Sequence, residues 1–149
     1  MKIWLLDASV LLACEDADDA HHAAAQQLLT GSDSLATLDL ALYEATNVAV
    51  SAWKDHAAAR RLCGLIGALA GDGGMIRAEP SLLEDAAQLA LTHGLSAYDA
   101  AYVAAAAGAG ARLVSCDVRD LVSRGLAELP GDAVAQICDT PGPMTVRHS

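Results

Sequence analysis

The order of strand-like and helix-like segments is the feature that most limits how this chain can fold. Short apolar segments typical of strands alternate with longer segments in which apolar residues recur at helical spacing. We predict strands near 2–6, 34–38, 75–78, 112–116 and 134–138, and helices near 8–15, 18–30, 39–54, 56–71, 81–93, 97–107 and 118–124. Strands that are joined through helices pair in parallel. The pattern predicts a three-layer α/β/α protein with a central, mainly parallel sheet of four to five strands.

The length of 149 residues fits one domain that buries its own core. We place this domain at residues 1–139 and expect residues 140–149, which include Pro141-Gly142-Pro143, to be a loosely ordered tail. No apolar run has the length of a membrane span, and the N-terminal apolar segment is too short for a secretory signal. The four Cys residues form no C-x-x-C pair, which favours reduced thiols over zinc ligands. We therefore expect a soluble protein of the cytoplasm.

Four carboxylates lie at the ends of predicted strands, near the start of a predicted helix or on the apolar stripe of a predicted helix. Asp7 follows the first predicted strand and Asp117 follows the fourth, so both lie at the carboxyl ends of strands. In open α/β sheets, ligands bind at this edge. Glu44 lies within a predicted helix on an otherwise apolar stripe, and Asp99 begins the Ala-rich predicted helix. A buried carboxylate needs a partner, so the four residues together predict a metal site.

Charge balance supports a metal, although helix capping is an alternative for three of the residues. The chain has 19 Asp and Glu residues but only nine Lys and Arg residues. Bound Mg²⁺ or Mn²⁺, which prefer oxygen ligands, would neutralise a carboxylate cluster. Asp is also a common N-cap, which explains Asp7, Asp99 and Asp117 equally well when each is taken singly. Glu44 lies beyond the first turn of its helix and is either part of the site or a surface residue.

The formal net charge of −10 argues against binding nucleic acid through general electrostatic attraction. Metal ions at the carboxylates would reverse the local sign. Basic residues that follow the Glu44 helix or flank the Asp117 strand allow local basic patches: Lys54, Arg60, Arg61, Arg112, Arg119 and Arg124. The remaining acidity suits a basic protein partner.

Four short motifs follow one another along the chain: Asp7-Ala8-Ser9, Tyr43-Glu44-x-x-Asn47, Tyr98-Asp99-Ala100 and Leu113-Val114-Ser115-Cys116-Asp117. In this order and spacing they resemble the PIN domain, and most closely the VapC-type toxins of bacterial toxin–antitoxin pairs. The resemblance covers nearly the whole chain, and Ser115 keeps the hydroxyl where the family usually has Thr. It implies a PIN-like fold and a toxin that acts as a Mg²⁺- or Mn²⁺-dependent endoribonuclease, a hydrolase of RNA phosphodiester bonds.

The resemblance also implies roles for individual residues. It maps the family's acidic positions onto Asp7, Glu44, Asp99 and Asp117. We assign Asp7, Asp99 and Asp117 as metal ligands, and Glu44 to a second metal or to the attacking water. Around them, four residues are expected to hold a carboxylate, a water molecule or the substrate: Ser9, Asn47, Ser115 and Asp120. Ordinary hydrogen bonds at element ends explain the two serines as well, Asn47 could instead bond to Glu44, and Asp120 could favour a helix start. Hydrolysis by metal-activated water would leave a 5′-phosphate and a 3′-hydroxyl.

Three partners are expected, namely an RNA substrate, a basic antitoxin protein and a second copy of the chain in a homodimer. The predicted helices within 18–30 and 39–71 carry more apolar residues than one sheet face can cover. Such a surplus predicts a homodimer and a hydrophobic groove for an antitoxin segment. No membrane partner is expected.

Other proteins also place Asp residues at the ends of strands. A receiver domain needs a Lys at a late strand end, but the chain has only Lys2 and Lys54. A phosphohydrolase of the haloacid-dehalogenase type needs a second Asp where Ser9 stands. A PIN-fold regulatory protein without catalysis is a further alternative, which metal binding would distinguish from an enzyme.

Overall fold

The computed structural model describes residues 2–138. The strands are β1 (Ile3–Leu6), β2 (Ser34–Leu38), β3 (Met75–Ile76) and β4 (Arg112–Val114). The helices are α1 (Ala8–Glu15), α2 (His22–Thr30), α3 (Leu40–Ser51), α4 (His56–Gly71), α5 (Pro80–His93), α6 (Ala97–Ala109) and α7 (Pro130–Cys138). A π-helical turn spans Val118–Val122. The predicted tail, residues 140–149, lies outside the described residues.

All four strands pair in parallel, in the order β3-β2-β1-β4. The chain moves from β1 outward through β2 to β3 and then returns to the opposite side of β1 with β4. The strand order therefore reverses at β1, and such a reversal opens a crevice at the carboxyl ends of the strands. The parallel sheet confirms the predicted α/β class, and the crevice lies where Asp7 and Asp117 follow their strands.

The central strand β1 is buried along its length. Trp4, Leu5 and Leu6 are fully buried, as a parallel strand covered on both faces requires. The Trp4 indole N–H donates to the Asp33 carboxylate at 2.9 Å, which satisfies its one polar atom. The Thr37 hydroxyl donates to the Leu6 carbonyl at 2.8 Å and joins β2 to the end of β1. This end of the sheet is therefore fixed where the site begins.

The helices pack in two groups around the sheet. Helices α1, α3 and α4 contact one another, and α4 also contacts β2 and β3. Helices α5 and α6 pack together, and α6 contacts β4. This arrangement confirms the predicted three layers. Among residues 2–138, no helix is both long enough and apolar enough to cross a membrane.

The predicted fifth strand at 134–138 is wrong, because these residues belong to α7. The residues of α7 that face inward recur at helical spacing: Pro130, Ala133, Val134 and Ile137. Pro130 is the first residue of the helix, where its fixed φ is favourable. The outer side of β4 is instead paired by a single parallel bridge between Val114 and Glu128. The sheet therefore has the lower of the two predicted strand numbers.

Helix α2 begins at His22, four residues later than predicted. The Asp16 carboxylate accepts the Asp18 N–H at 3.0 Å, and the Asp19 carboxylate accepts the His21 N–H at 2.8 Å. Asp side chains that bond the backbone two residues ahead favour turns over helix. The acidic run before α2 therefore forms a loop.

The π-helical turn follows the Asp117 position directly. The Val122 N–H donates to the Asp117 carbonyl at 3.0 Å, and the Ser123 N–H donates to the Val118 carbonyl at 2.8 Å. Each of these bonds spans five residues rather than four. The turn is wider than an α-helix and carries Asp120 on its first turn.

Candidate metal centre

The crevice at the carboxyl ends of β1 and β4 receives carboxylates from three segments. Asp7 follows β1 and caps α1, where its Oδ1 accepts the Val10 N–H at 3.3 Å. Asp117 follows β4 and caps the π-helical turn, where its Oδ1 accepts the Asp120 N–H at 3.0 Å. Asp99 lies in the first turn of α6 and is not its cap, because Ser96 Oγ accepts the Asp99 N–H at 3.1 Å. Capping is thus real for Asp7 and Asp117, but it does not explain Asp99.

Asp99, Asp117 and Asp120 form the tightest acidic group among the described residues. One carboxylate oxygen from each lies within 4.8 Å of the other two. Ligand oxygens of an octahedral Mg²⁺ lie about 2.1 Å from the ion, so opposite ligands are roughly 4 Å apart. The separation and the all-oxygen donor set therefore fit a divalent cation of this type.

Negative charge at this group is only partly compensated. Burial raises the pKa of Asp99 above its usual range, and the nearby charges of Asp117, Glu44 and Asp120 raise it further. Among residues 2–138, one ion pair involves this group: Arg124 lies 3.8 Å from Asp120, and both side chains are about half exposed. Three carboxylates against one distant guanidinium leave a net negative site that attracts cations.

Asp7 lies outside the tight group. It is only 6% exposed, and burial raises its pKa from 3.8 to about 6 despite hydrogen bonds from Ser115, Ser9 and the Val10 N–H. The negative charge of Glu44 is the smallest of the causes that raise the pKa of Asp7. The tight group therefore includes Asp120, to which the sequence assigned only a supporting role, and does not include Asp7.

Two serine hydroxyls connect Asp7 to the segment that carries Asp117. Ser9 Oγ donates to Asp7 Oδ1 at 2.5 Å and accepts the Cys116 N–H at 2.9 Å. Ser115 is fully buried, and its hydroxyl accepts the Asp117 N–H at 3.0 Å. The two hydroxyl oxygens are 3.5 Å apart. The serines are therefore positioned to fix the ends of β1 and β4 relative to each other.

Glu44 reaches the site from α3 and is held by Tyr102, a residue that the sequence did not mark as functional. The buried Tyr102 hydroxyl donates to Glu44 Oε1 at 2.7 Å. Burial strongly raises the pKa of Tyr102, and the Glu44 charge raises it further, so the phenol stays protonated. Tyr102 lies one turn after Asp99 on α6, and a tyrosine on a buried Ala-rich stripe needs a polar partner. That requirement was the available indication of its role.

Asn47 does not bind Glu44 in the structure. It is exposed one turn beyond Glu44, and its side-chain oxygen accepts the Ser51 hydroxyl at 2.9 Å. Of the eight predicted site residues, seven lie in or beside the crevice: Asp7, Ser9, Glu44, Asp99, Ser115, Asp117 and Asp120. The eighth, Asn47, is exposed on α3 and bonds to Ser51 instead.

Several solved protein structures have a fold similar to that of this chain. A protein of Pyrobaculum aerophilum is 25% identical, with 92% of this chain and 97% of that chain covered and a TM-score of 0.68. The toxin VapC20 of Mycobacterium tuberculosis, described as cleaving the sarcin–ricin loop, is 20% identical, with 85% and 98% covered and a TM-score of 0.70. A toxin–antitoxin complex from Klebsiella pneumoniae is 16% identical, with 85% and 96% covered and a TM-score of 0.66.

No curated protein sequence matches the chain significantly. The sequence model of the PIN domain matches residues 4–124, which include every carboxylate of the crevice. Since this match spans most of the chain and agrees with the parallel sheet and its acidic edge, the protein belongs to the PIN domain family.

Proposed function

We propose that this protein is a VapC-type toxin of a toxin–antitoxin pair and acts as a Mg²⁺- or Mn²⁺-dependent endoribonuclease. The observation that carries the proposal is the approach of the Asp99, Asp117 and Asp120 oxygens to within 4.8 Å in a PIN domain. Two similar structures support the biological role. VapC20 is described as a toxin that cleaves the sarcin–ricin loop, and the Klebsiella structure is a toxin–antitoxin complex.

The carboxylates would hold the ion. Asp99, Asp117 and Asp120 would each supply a carboxylate oxygen, and Asp7 would join them from the end of β1. When bound, the ion supplies positive charge to the phosphate and lowers the pKa of water. Burial and nearby negative charges raise the pKa values of Asp7 and Asp99, and a bound cation would lower these pKa values again.

Glu44 is the residue best placed to act on the attacking water. Its Oε1 accepts the Tyr102 hydroxyl, so the carboxylate is oriented and its second oxygen can accept a bond from water. Ser9 and Ser115 hold Asp7 and the Asp117 segment in register. Asn47 is exposed and is assigned to contact with RNA. Attack by water opposite the leaving oxygen leaves a 5′-phosphate and a 3′-hydroxyl.

The partner surfaces lie away from the carboxylates. A cavity of about 630 Å³ opens between α2 and α4 and is lined by Ala23, Leu29 and Leu65 among others. We assign it to an antitoxin segment, and the net charge of −10 favours a basic antitoxin. The exposed apolar residue Val50 of α3 supports a homodimer. Because the proposed substrate is cellular RNA, we assign the protein to the cytoplasm.

The test compares two Asp residues that cap helices in the same way. Asp117 accepts the Asp120 N–H at 3.0 Å, and Asp55 accepts the Ala58 N–H at 3.0 Å, but only Asp117 lies in the crevice. Asn caps about as well as Asp, so both Asp117→Asn and Asp55→Asn should fold. Asp117→Asn should lose calorimetric Mn²⁺ binding and cleavage of cellular RNA, whereas Asp55→Asn should keep both.

Two results would contradict the proposal. One is an Asp117→Asn variant that cleaves RNA as fast as the wild type. The other is wild-type cleavage that EDTA does not reduce. Mn²⁺ binding without any RNA cleavage would instead favour a PIN-fold protein with a regulatory role or another phosphohydrolase.

A further inference from the structure

A second cavity opens near the carboxylates, and its lining is apolar apart from Asp39. It measures about 320 Å³ and lies between the start of α3, α5 and the start of α6. Its walls include Leu40, Tyr43, Leu83, Tyr98 and Ala101. Tyr43 is 77% exposed and Tyr98 is 63% exposed, so two aromatic rings stand in water at its rim. Together with the apolar walls, these rings form a contiguous exposed apolar patch, and such patches mark sites for ligands or partners.

The cavity is fixed next to the site by the sequence itself. Tyr43 immediately precedes Glu44 on α3, and Tyr98 immediately precedes Asp99 on α6. Adjacent helical residues differ by about 100° in direction and 1.5 Å in height, so each ring and its carboxylate extend from neighbouring points on the same helix turn. A chain that places a phosphate at the carboxylates therefore places its neighbouring groups at this cavity.

Charge determines what kind of contact can bind the substrate here. The protein carries 19 acidic and nine basic residues, so general attraction for a polyanion is weak. Base stacking on aromatic rings does not depend on phosphate charge and tolerates any base, since every base has a π face. The volume is at the low end of small-ligand sites, which span roughly 300–1,000 Å³, and suits one planar group rather than a helix.

We propose that this cavity binds one unpaired nucleobase of the RNA, stacked on Tyr43 and Tyr98 next to the phosphate that is cleaved. This inference rests on the proposed nuclease function. The bound base has to be unpaired, because a base within a duplex presents no free face. The apolar lining contributes stacking and little hydrogen-bonded discrimination among bases.

The test measures kcat/KM on a short unstructured RNA with Mn²⁺. Tyr43→Ala and Tyr98→Ala should each lower kcat/KM by about 5- to 150-fold, the equivalent of 1–3 kcal/mol per stacked base. Tyr98→Phe keeps the ring and should cleave like the wild type. Leu91→Ala removes another exposed apolar side chain, 88% exposed on α5 and outside the cavity, and should have no effect. Mn²⁺ affinity and melting temperature should be unchanged in all four variants.

Abasic substrates locate the base. Removing one base near the cleaved bond should slow the wild type by the same factor, and Tyr98→Ala should show no further loss at that position. Alanine variants that cleave like the wild type, while Asp117→Asn does not cleave, would refute the base site alone. Unchanged kcat/KM with a changed native mass or weaker antitoxin binding would show that the surface binds protein instead. A wild type that cleaves no RNA would refute both proposals.

Discussion

Replacing Asp7 by Asn is expected to stabilise the metal-free protein at neutral pH. Burial raises the pKa of Asp7 from 3.8 to about 6, so the folded chain holds this proton more tightly than the unfolded chain. Between these values the folded state binds more protons, and the free energy of unfolding therefore falls as the pH rises. The difference in pKa corresponds to about 3 kcal/mol at pH values above 6. Asn removes the charge and keeps an oxygen for the Val10 N–H and the Ser9 hydroxyl.

Thermal melting in EDTA across pH 4 to 7.5 measures this effect. The gain of Asp7→Asn over the wild type should be largest at pH 7.5, at roughly 6–12 °C for a chain of this size, and should shrink toward pH 4. Asp55→Asn, an exposed cap, is the control and should show no such pH dependence. Excess Mn²⁺ should raise the melting temperature of the wild type but much less that of Asp7→Asn. RNA cleavage by Asp7→Asn should fall by orders of magnitude.

The outcome that refutes this reasoning is a variant no more stable than the wild type at pH 7.5 in EDTA. An equal gain at every pH would also refute it, because the charge of Asp7 would then not be the cause. In either case the Asp7 carboxylate would be compensated within the folded protein, and its role as a metal ligand would lose its electrostatic support.

Two further predictions concern positioning and partners. Tyr102→Phe removes the hydroxyl that donates to Glu44, and it should lower kcat at least about tenfold while Mn²⁺ affinity changes little; an unchanged kcat would show that Glu44 does not need this bond. Ala23→Arg places a large cation in the α2–α4 cavity and should weaken binding of a basic antitoxin at least about tenfold. The control is Ala68→Arg, at an exposed position of α4 outside this cavity, which should leave antitoxin binding unchanged. Neither Arg substitution should change the native mass, which we expect to be that of a homodimer; equal antitoxin binding by both variants would place the antitoxin elsewhere.

The sequence predicted the sheet edge because carboxyl ends of parallel strands must meet there. Asp7 and Asp117 follow short strand-like segments, so their placement needed only strand order and direction. The end of the chain was different, since the residues 134–138 have β-branched side chains typical of a strand but apolar spacing typical of a helix. These residues form a helix because the helical spacing of their apolar side chains allows α7 to pack against α2.

Distances within the site depend on helix rotation and turn type, which a single sequence does not determine. Asp120 joins Asp99 and Asp117 because a π-helical turn carries it there, and no residue pattern marks that turn in advance. The bond from Tyr102 to Glu44 joins two helices that are far apart in sequence. The cluster could therefore be predicted as a set of residue types at one edge, but not as a set of distances.

The π-helical turn also limits how the length of this segment can vary. The Asp117 carbonyl accepts backbone N–H groups from residues four and five positions ahead, and the Asp117 side chain accepts the N–H of Asp120, three positions ahead. Deleting one residue would restore α-helical bonding and rotate the following side chains by about 100°. Asp120 would then point away from Asp99, although the composition of the segment would barely change. Surface segments usually tolerate insertions and deletions, but here the residue count itself sets the direction of a carboxylate.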